Sequence, residues 1–207
     1  MGYILSTIAK SKESPSLETY FMDNANYSNE KPYYIFSLSD DALDKIEEYY
    51  NTLDEDAWVP MHQKYGDNEN FRVCDIHAVV AKSYPAMIAT DCFNFINDKK
   101  YEFDIDLFEY QMMRYDVGGN FGWHCDYGVS PQENYWRKLS LTIQLSEPDE
   151  YEGGELILVD YFNQWQQMPK ERGAAVIFDA RCPHKVNPVL AGERKAIVGW
   201  ANGPKLR

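Results

Sequence analysis

Lys138 to Ser146, KLSLTIQLS, constrains the fold more than any other stretch of the chain. Leu139, Leu141, Ile143 and Leu145 alternate with Ser140, Thr142 and Gln144. Strict alternation specifies a β-strand with one apolar and one polar face. Two architectures fit it. In an open sheet the polar face meets water; in a closed barrel it lines a polar interior.

Further strands are expected on either side. Phe103, Ile105 and Leu107 lead through Tyr110 and Met112 to Arg114 and Tyr115, and Gly118-Gly119 makes a turn. Glu152 to Leu156, EGGEL, is a Gly-Gly turn into a strand Leu156–Asp160. Strands are also expected at Gly173–Asp179, Cys182–Val186 and Arg194–Trp200. About seven short strands separated by turns predict a β-sandwich or jelly roll closed into a small barrel.

Two helices precede this region. Ser39 caps the first, Asp40 and Asp41 suit its N-terminal end, and Leu43, Ile46, Tyr50 and Leu53 form an apolar stripe. The second is expected from about Ser83 to Lys99, with Pro85 in its first turn and Ile88, Cys92, Phe95 and Ile96 facing inward. Residues 1–36 show no clear periodicity and are assigned to an N-terminal extension. Residues 37–207 form a single domain, with a β-core at about 103–203.

The composition fits one globular domain with a substantial core: 207 residues, 44% hydrophobic. A formal charge of −13 argues against nucleic acid as a partner, since phosphate contacts need a basic surface. No run approaches the roughly 18–20 apolar residues of a membrane span. Cys74, Cys92, Cys125 and Cys182 have no CxxC spacing, so neither a disulfide framework nor a zinc knuckle is expected. A cytoplasmic location is the resulting expectation; oligomeric state does not follow from the sequence.

GGNFGWHCD, Gly118 to Asp126, places His124 and Asp126 two apart at what reads as the start of a strand, so both project from one face. An imidazole and a carboxylate side by side are two of the three ligands of a facial triad for non-haem Fe(II). His184, in CPHKV, is the candidate third. His62 and His77 are assigned structural or surface roles. Arg194 follows His184 by ten residues, on one strand face with Ala196, Val198 and Trp200. A guanidinium there suits a carboxylate distal to the metal.

Three stretches carry a family resemblance in order: QMMRYDVGGNFGWHCD, RKLSLTIQLSEPDEYEGGEL and HKVNPVLAGERKAIVGW. From about Tyr110 to Trp200 the chain resembles the Fe(II)/2-oxoglutarate-dependent dioxygenases, in the prolyl 4-hydroxylase-like branch with its PKHD-type hydroxylases. The resemblance implies a double-stranded β-helix core preceded by N-terminal helices, with His124, Asp126 and His184 as catalytic iron ligands. It implies that Arg194 binds the distal carboxylate of 2-oxoglutarate and that Tyr115 is a second cosubstrate contact. Thr142 and Gln144 line the same pocket in this reading; where some relatives carry Tyr, Gln144 offers an amide donor. Trp200 and Tyr127 are candidates for the substrate mouth, or for plain packing.

The implied reaction is hydroxylation of an unactivated C–H bond with O2, releasing succinate and CO2; ascorbate is an optional reductant. A prolyl residue of a protein or peptide is the expected substrate, with a free amino acid or other small molecule as the alternative. A nucleic-acid demethylase is disfavoured by the charge and by Trp200, rather than an arginine, six residues after Arg194. A cupin-like metal enzyme would not need Arg194, and a silent 2-oxoglutarate-sensing protein is the reading from a different class. Substrate choice is expected in residues 1–35, the Tyr127–Trp136 loop and Tyr161–Lys170.

Overall fold

The computed structural model describes residues 21–22, 31–65, 69–128 and 135–205. In chain order the elements are β1 (Phe21–Met22), β2 (Tyr33–Leu38), α1 (Asp40–Tyr50), β3 (Val59–Tyr65), β4 (Glu69–Ala78) and α2 (Tyr84–Ile96). There follow β5 (Leu107–Tyr115), β6 (Asn120–His124), β7 (Trp136–Gln144), β8 (Tyr151–Gly153), β9 (Leu156–Val159) and β10 (Trp165–Gln167). The last are β11 (Ala174–Asp179), β12 (His184–Val186), β13 (Val189–Gly192) and β14 (Arg194–Gly203).

Twelve strands form one antiparallel sheet, ordered β1-β2-β11-β7-β14-β5-β4-β6-β12-β9-β10 with β3 paired to β4; β8 and β13 pair separately. The double-stranded β-helix expected from the sequence is therefore the fold, mainly β with two flanking helices.

Strand β7 settles the choice between open sheet and barrel. Its apolar side chains Leu139, Leu141 and Ile143 are buried, and its polar ones are too: Ser140 is 1% exposed, Thr142 8% and Gln144 3%. Its neighbours divide likewise. Tyr110 and Met112 of β5, Ala175 and Ile177 of β11, and Ile197 and Ala201 of β14 pack in one cluster with α1 and α2. The alternate residues Met113, Tyr115, Val176 and Phe178 join a second cluster with Leu156, Leu158 and Val186. One face thus buries the helices, and the other encloses the interior where the polar residues of β7 lie. Backing by helices makes the inner wall stiff.

Helix α1 begins as its sequence predicts, Ser39 Oγ accepting from Ala42 N at 3.4 Å. Helix α2 stops at Ile96 and passes into a π turn over Asn97–Tyr101, ending at Glu102 with φ +49°. Phe93, outside the expected stripe, is fully buried against Phe108.

Two parts differ from the sequence reading. His62 and His77 lie on β3 and β4, a hairpin not anticipated. His77 nevertheless has a structural role, its ring nitrogens meeting Ala57 O at 3.0 Å and Tyr49 Oη at 3.2 Å. Strand β2 lies largely within the segment assigned to an extension and pairs with β11, Val176 opposite Ile35. The rest of that segment, 1–20 and 23–30, lies outside the described residues, as do 129–134 of the Tyr127–Trp136 loop. All four cysteines are free.

Candidate active site

Strands β6 and β12 pair with His124 directly opposite His184. Between this pair and the next, Phe121 opposite Val186, β6 carries an extra residue. Such a bulge turns Phe121 and His124 to the same side. Phe121 stacks on the His124 ring, centroids 3.7 Å apart, and Phe178 meets His184 edge-on at 4.8 Å.

Asp126 does not share a strand with His124: β6 ends at His124, correcting the expected HxD strand. The residue facing Cys125 would be Pro183, which has no amide proton to extend the ladder. The chain turns away, and Tyr127 N donates to Ala180 O at 2.8 Å. Asp126 still joins the histidines. Its Oδ1 lies 3.6 Å from His124 Nε2, and its Oδ2 lies 3.5 Å from His184 Nε2.

The three donor atoms all lie within 4.8 Å of one another. Nδ1 of His124 is 2.7 Å from Gly122 O, and Nδ1 of His184 is 3.0 Å from Cys182 O. A carbonyl accepts only from an N–H, so each ring carries a proton on Nδ1 and turns its Nε2 toward Asp126. Burial, reinforced by His184, holds the His124 pKa down to about 4, against the pull of Asp126. Burial alone would raise the Asp126 pKa; His184, His124 and hydrogen bonds from Ser140 and Trp200 overcome it and hold the carboxyl below its ordinary value. Two imidazole nitrogens and one carboxylate turned toward one another suit a divalent iron that must keep open positions.

Arg194 opens β14, 2% exposed, and among the described residues no carboxylate pairs with it. Its Cζ lies 5.3 Å from the Tyr115 ring centroid. Tyr115 is buried and feels the charges of both Arg194 and Asp126. Thr142, Gln144 and Arg194 line one small cavity, as the sequence reading expects. A buried, uncompensated guanidinium is costly unless an anion completes it.

Trp200 and Tyr127 do not play equal parts. Trp200 is buried, hydrogen-bonds Asp126 and stacks beneath the Arg137 guanidinium at 3.9 Å. Its burial fits the packing alternative of the sequence reading. Tyr127 is half-buried against Trp136, centroids 5.1 Å apart.

The sequence reading missed Ser140 as the partner of Asp126, and it missed Tyr151 and Lys170 in the wall beside Arg194. The alternation of β7 put Ser140 on the polar face, but only the closed sheet brings Asp126 to it. On the opposite faces of the histidine strands, Trp123 and Lys185 point outward. Trp123 meets exposed Trp165 at 5.1 Å, and Lys185 Nζ lies over both rings.

Fold and triad together resemble those expected of a 2-oxoglutarate-Fe(II) oxygenase. Residues 110–202 match the family model of the 2OG-Fe(II) oxygenase superfamily. Among curated relatives, a PKHD-type hydroxylase of Shewanella baltica is 39% identical over 89 residues, 42% of this chain and 39% of that protein. Another from Shewanella frigidimarina is 30% identical over 133 residues, 62% of this chain and 50% of that protein. The chain thus spans half or less of the length of these relatives.

Solved structures share the fold. A Pseudomonas putida prolyl-4-hydroxylase superposes with a TM-score of 0.68 at 19% identity, covering 84% of this chain and 94% of that one. A Trichoplax adhaerens prolyl hydroxylase, solved with a hypoxia inducible factor peptide fragment, gives 0.65 at 17% identity, covering 82% and 83%. The resemblance to the prolyl 4-hydroxylase-like and PKHD-type branch therefore holds in both sequence and fold.

Proposed function

We propose that this protein is an Fe(II)- and 2-oxoglutarate-dependent dioxygenase that hydroxylates an unactivated C–H bond, with a prolyl residue of a protein or peptide as substrate. The observation that carries the reading is one interior holding two kinds of site. A nitrogen-nitrogen-oxygen triad turns both Nε2 atoms toward Asp126, and a buried guanidinium at Arg194 awaits an anion. Bound Fe(II) would supply the oxygen chemistry, oxidising 2-oxoglutarate to succinate and CO2 as the substrate gains a hydroxyl.

The chain's own residues bind and orient. His124, Asp126 and His184 would hold the metal, with Ser140 and Trp200 fixing the carboxylate. Arg194 would draw a dicarboxylic oxo acid into a single pose, and Tyr115 would present its phenol along the way. Helix-backed strands β5, β7, β11 and β14 keep water out. The prolyl assignment is supported by the named activities of the structural neighbours, and a peptide fragment occupies one of them. Ascorbate belongs to this reading as a reductant that restores Fe(II) after uncoupled turnover.

The test pairs binding with turnover. Fe(II)-loaded protein titrated anaerobically with 2-oxoglutarate should develop a weak visible charge-transfer band that requires His184 and weakens in Arg194→Ala. Aerobic incubation with proline-containing peptides should then release succinate and add one oxygen atom to proline. Absence of the band in fully iron-loaded protein would refute the cosubstrate. A band with succinate but oxygen added only to other residues or small molecules would refute the prolyl substrate.

A further inference from the structure

The anion end of the cavity contains a phenol as well as Arg194. Tyr151, at the start of β8, is buried, and its hydroxyl accepts from Gln144 Nε2 at 3.0 Å. The Arg194 guanidinium acts on the same hydroxyl as a second donor group, pulling its pKa down. Both partners are donors. A phenolic oxygen has two lone pairs and one proton, so two incoming donors leave its O–H as the function still to be used. Burial raises its pKa despite the adjacent Arg194, so that proton is retained at neutral pH.

The surroundings fix where the proton can go. Thr142, Gln144, Tyr151, Lys170 and Arg194 line one cavity. Lys170, in the same lining, has its Nζ 4.1 Å from the Tyr151 ring centroid while donating to Gly153 O at 3.1 Å. Gly154, at φ +63°, packs so closely that a Cβ there would stand 3.1 Å from both Arg194 Cδ and Tyr151 Cε2. Arg194 and Tyr151 are therefore packed side by side on the wall of this cavity. Tyr115, by contrast, is not among the residues that line this cavity.

We propose that Tyr151 is a cosubstrate-binding residue: its O–H donates to the distal carboxylate of 2-oxoglutarate beside Arg194, and Gln144 positions it. Strand β7 thus offers an amide where a phenol would serve, and β8 supplies the phenol through that amide. The inference rests on the 2-oxoglutarate reading above and assigns one end of that molecule to a residue outside the expected set.

Tyr151→Phe removes the hydroxyl and keeps the ring. Binding is read in anaerobic, Fe(II)-loaded protein from the charge-transfer band, with 2-oxoglutarate and with 2-oxobutyrate, which has the same keto-acid head and ends where the distal carboxylate begins. Loss of one charge-assisted hydrogen bond should weaken 2-oxoglutarate about tenfold. Affinity for 2-oxobutyrate should stay within about twofold, since it has no group for Tyr151 to meet. Unchanged 2-oxoglutarate affinity in the variant, or an equal loss of both ligands, overturns the assignment. If Tyr151→Phe melts far below wild type, Gln144→Met gives the same comparison; a smaller loss confined to 2-oxoglutarate supports the relay, and no loss refutes it. Wild-type protein that binds neither oxo acid would defeat the parent reading too, a result separable from a variant that binds as well as wild type.

Discussion

Ser140 Oγ donates to Asp126 Oδ2 at 2.7 Å, tying the one ligand candidate that lies beyond its strand to the middle of the best-formed strand in the sheet. This hydrogen bond sets the direction of the carboxylate. Ser140→Ala leaves a small buried side chain in place and should lower Fe(II) affinity about tenfold or more, as loss of an outer partner of a metal ligand typically does. Competition with a metal-sensitive dye would measure it. Wild-type affinity would show that Trp200 alone orients the carboxylate.

Asp126→Ala should separate folding from chemistry. Asp126 contributes to no strand pairing, so circular dichroism and gel-filtration behaviour should match wild type while hydroxylation is lost. Substrate-dependent turnover surviving at equal iron loading would remove Asp126 from the ligand set.

Gly154→Ala should damage stability and cosubstrate affinity together. The residue sits at φ +63°, and a methyl group would meet Arg194, Tyr151 and Val189 each at 3.1 Å. A destabilisation of about 1–3 kcal/mol is expected from backbone strain and crowding. Urea denaturation and the band titration measure the two effects; an Ala variant equal to wild type in both would mean that Arg194 relaxes freely.

Alkaline pH should unfold the protein through groups that the fold keeps protonated. Burial raises the pKa values of Tyr101, Tyr110, Tyr115 and Cys92, and pushes Cys182 up to about 12. Unfolded cysteine and tyrosine titrate near about 8.5 and 10. Folded values above unfolded ones give stability that is intact below about pH 8.5 and declines as pH rises. The urea midpoint should therefore hold between about pH 7 and 8 and fall steadily from about 9 to 11. A flat profile to pH 11 would mean that these hydroxyls and thiols reach water.

Much of this could be read in advance from local pattern. Strand β7 alternates without a break, β14 begins at a glycine turn, and Ser39 with two acidic residues marks a helix start. What stayed hidden depended on partners distant in sequence. Strand β2 reads YYIFSL, whose burial alternates only because β11 pairs with it, and the β3–β4 hairpin carries charges on both strands. Asp126 seemed to belong to a strand because the two-residue spacing fits one; the proline that would face Cys125 from just before β12 could not be placed from sequence. Tyr151 lies seven residues from Gln144 along the chain, and their hydrogen bond exists only once β8 returns across the barrel.

Trp123 is the peptide neighbour of His124, its ring on the outer surface against Trp165. The molecule thus carries an optical gauge of its own centre. Indole emission from this pair should change when the strand beneath is drawn toward a metal, so occupancy can be followed by light without label or substrate.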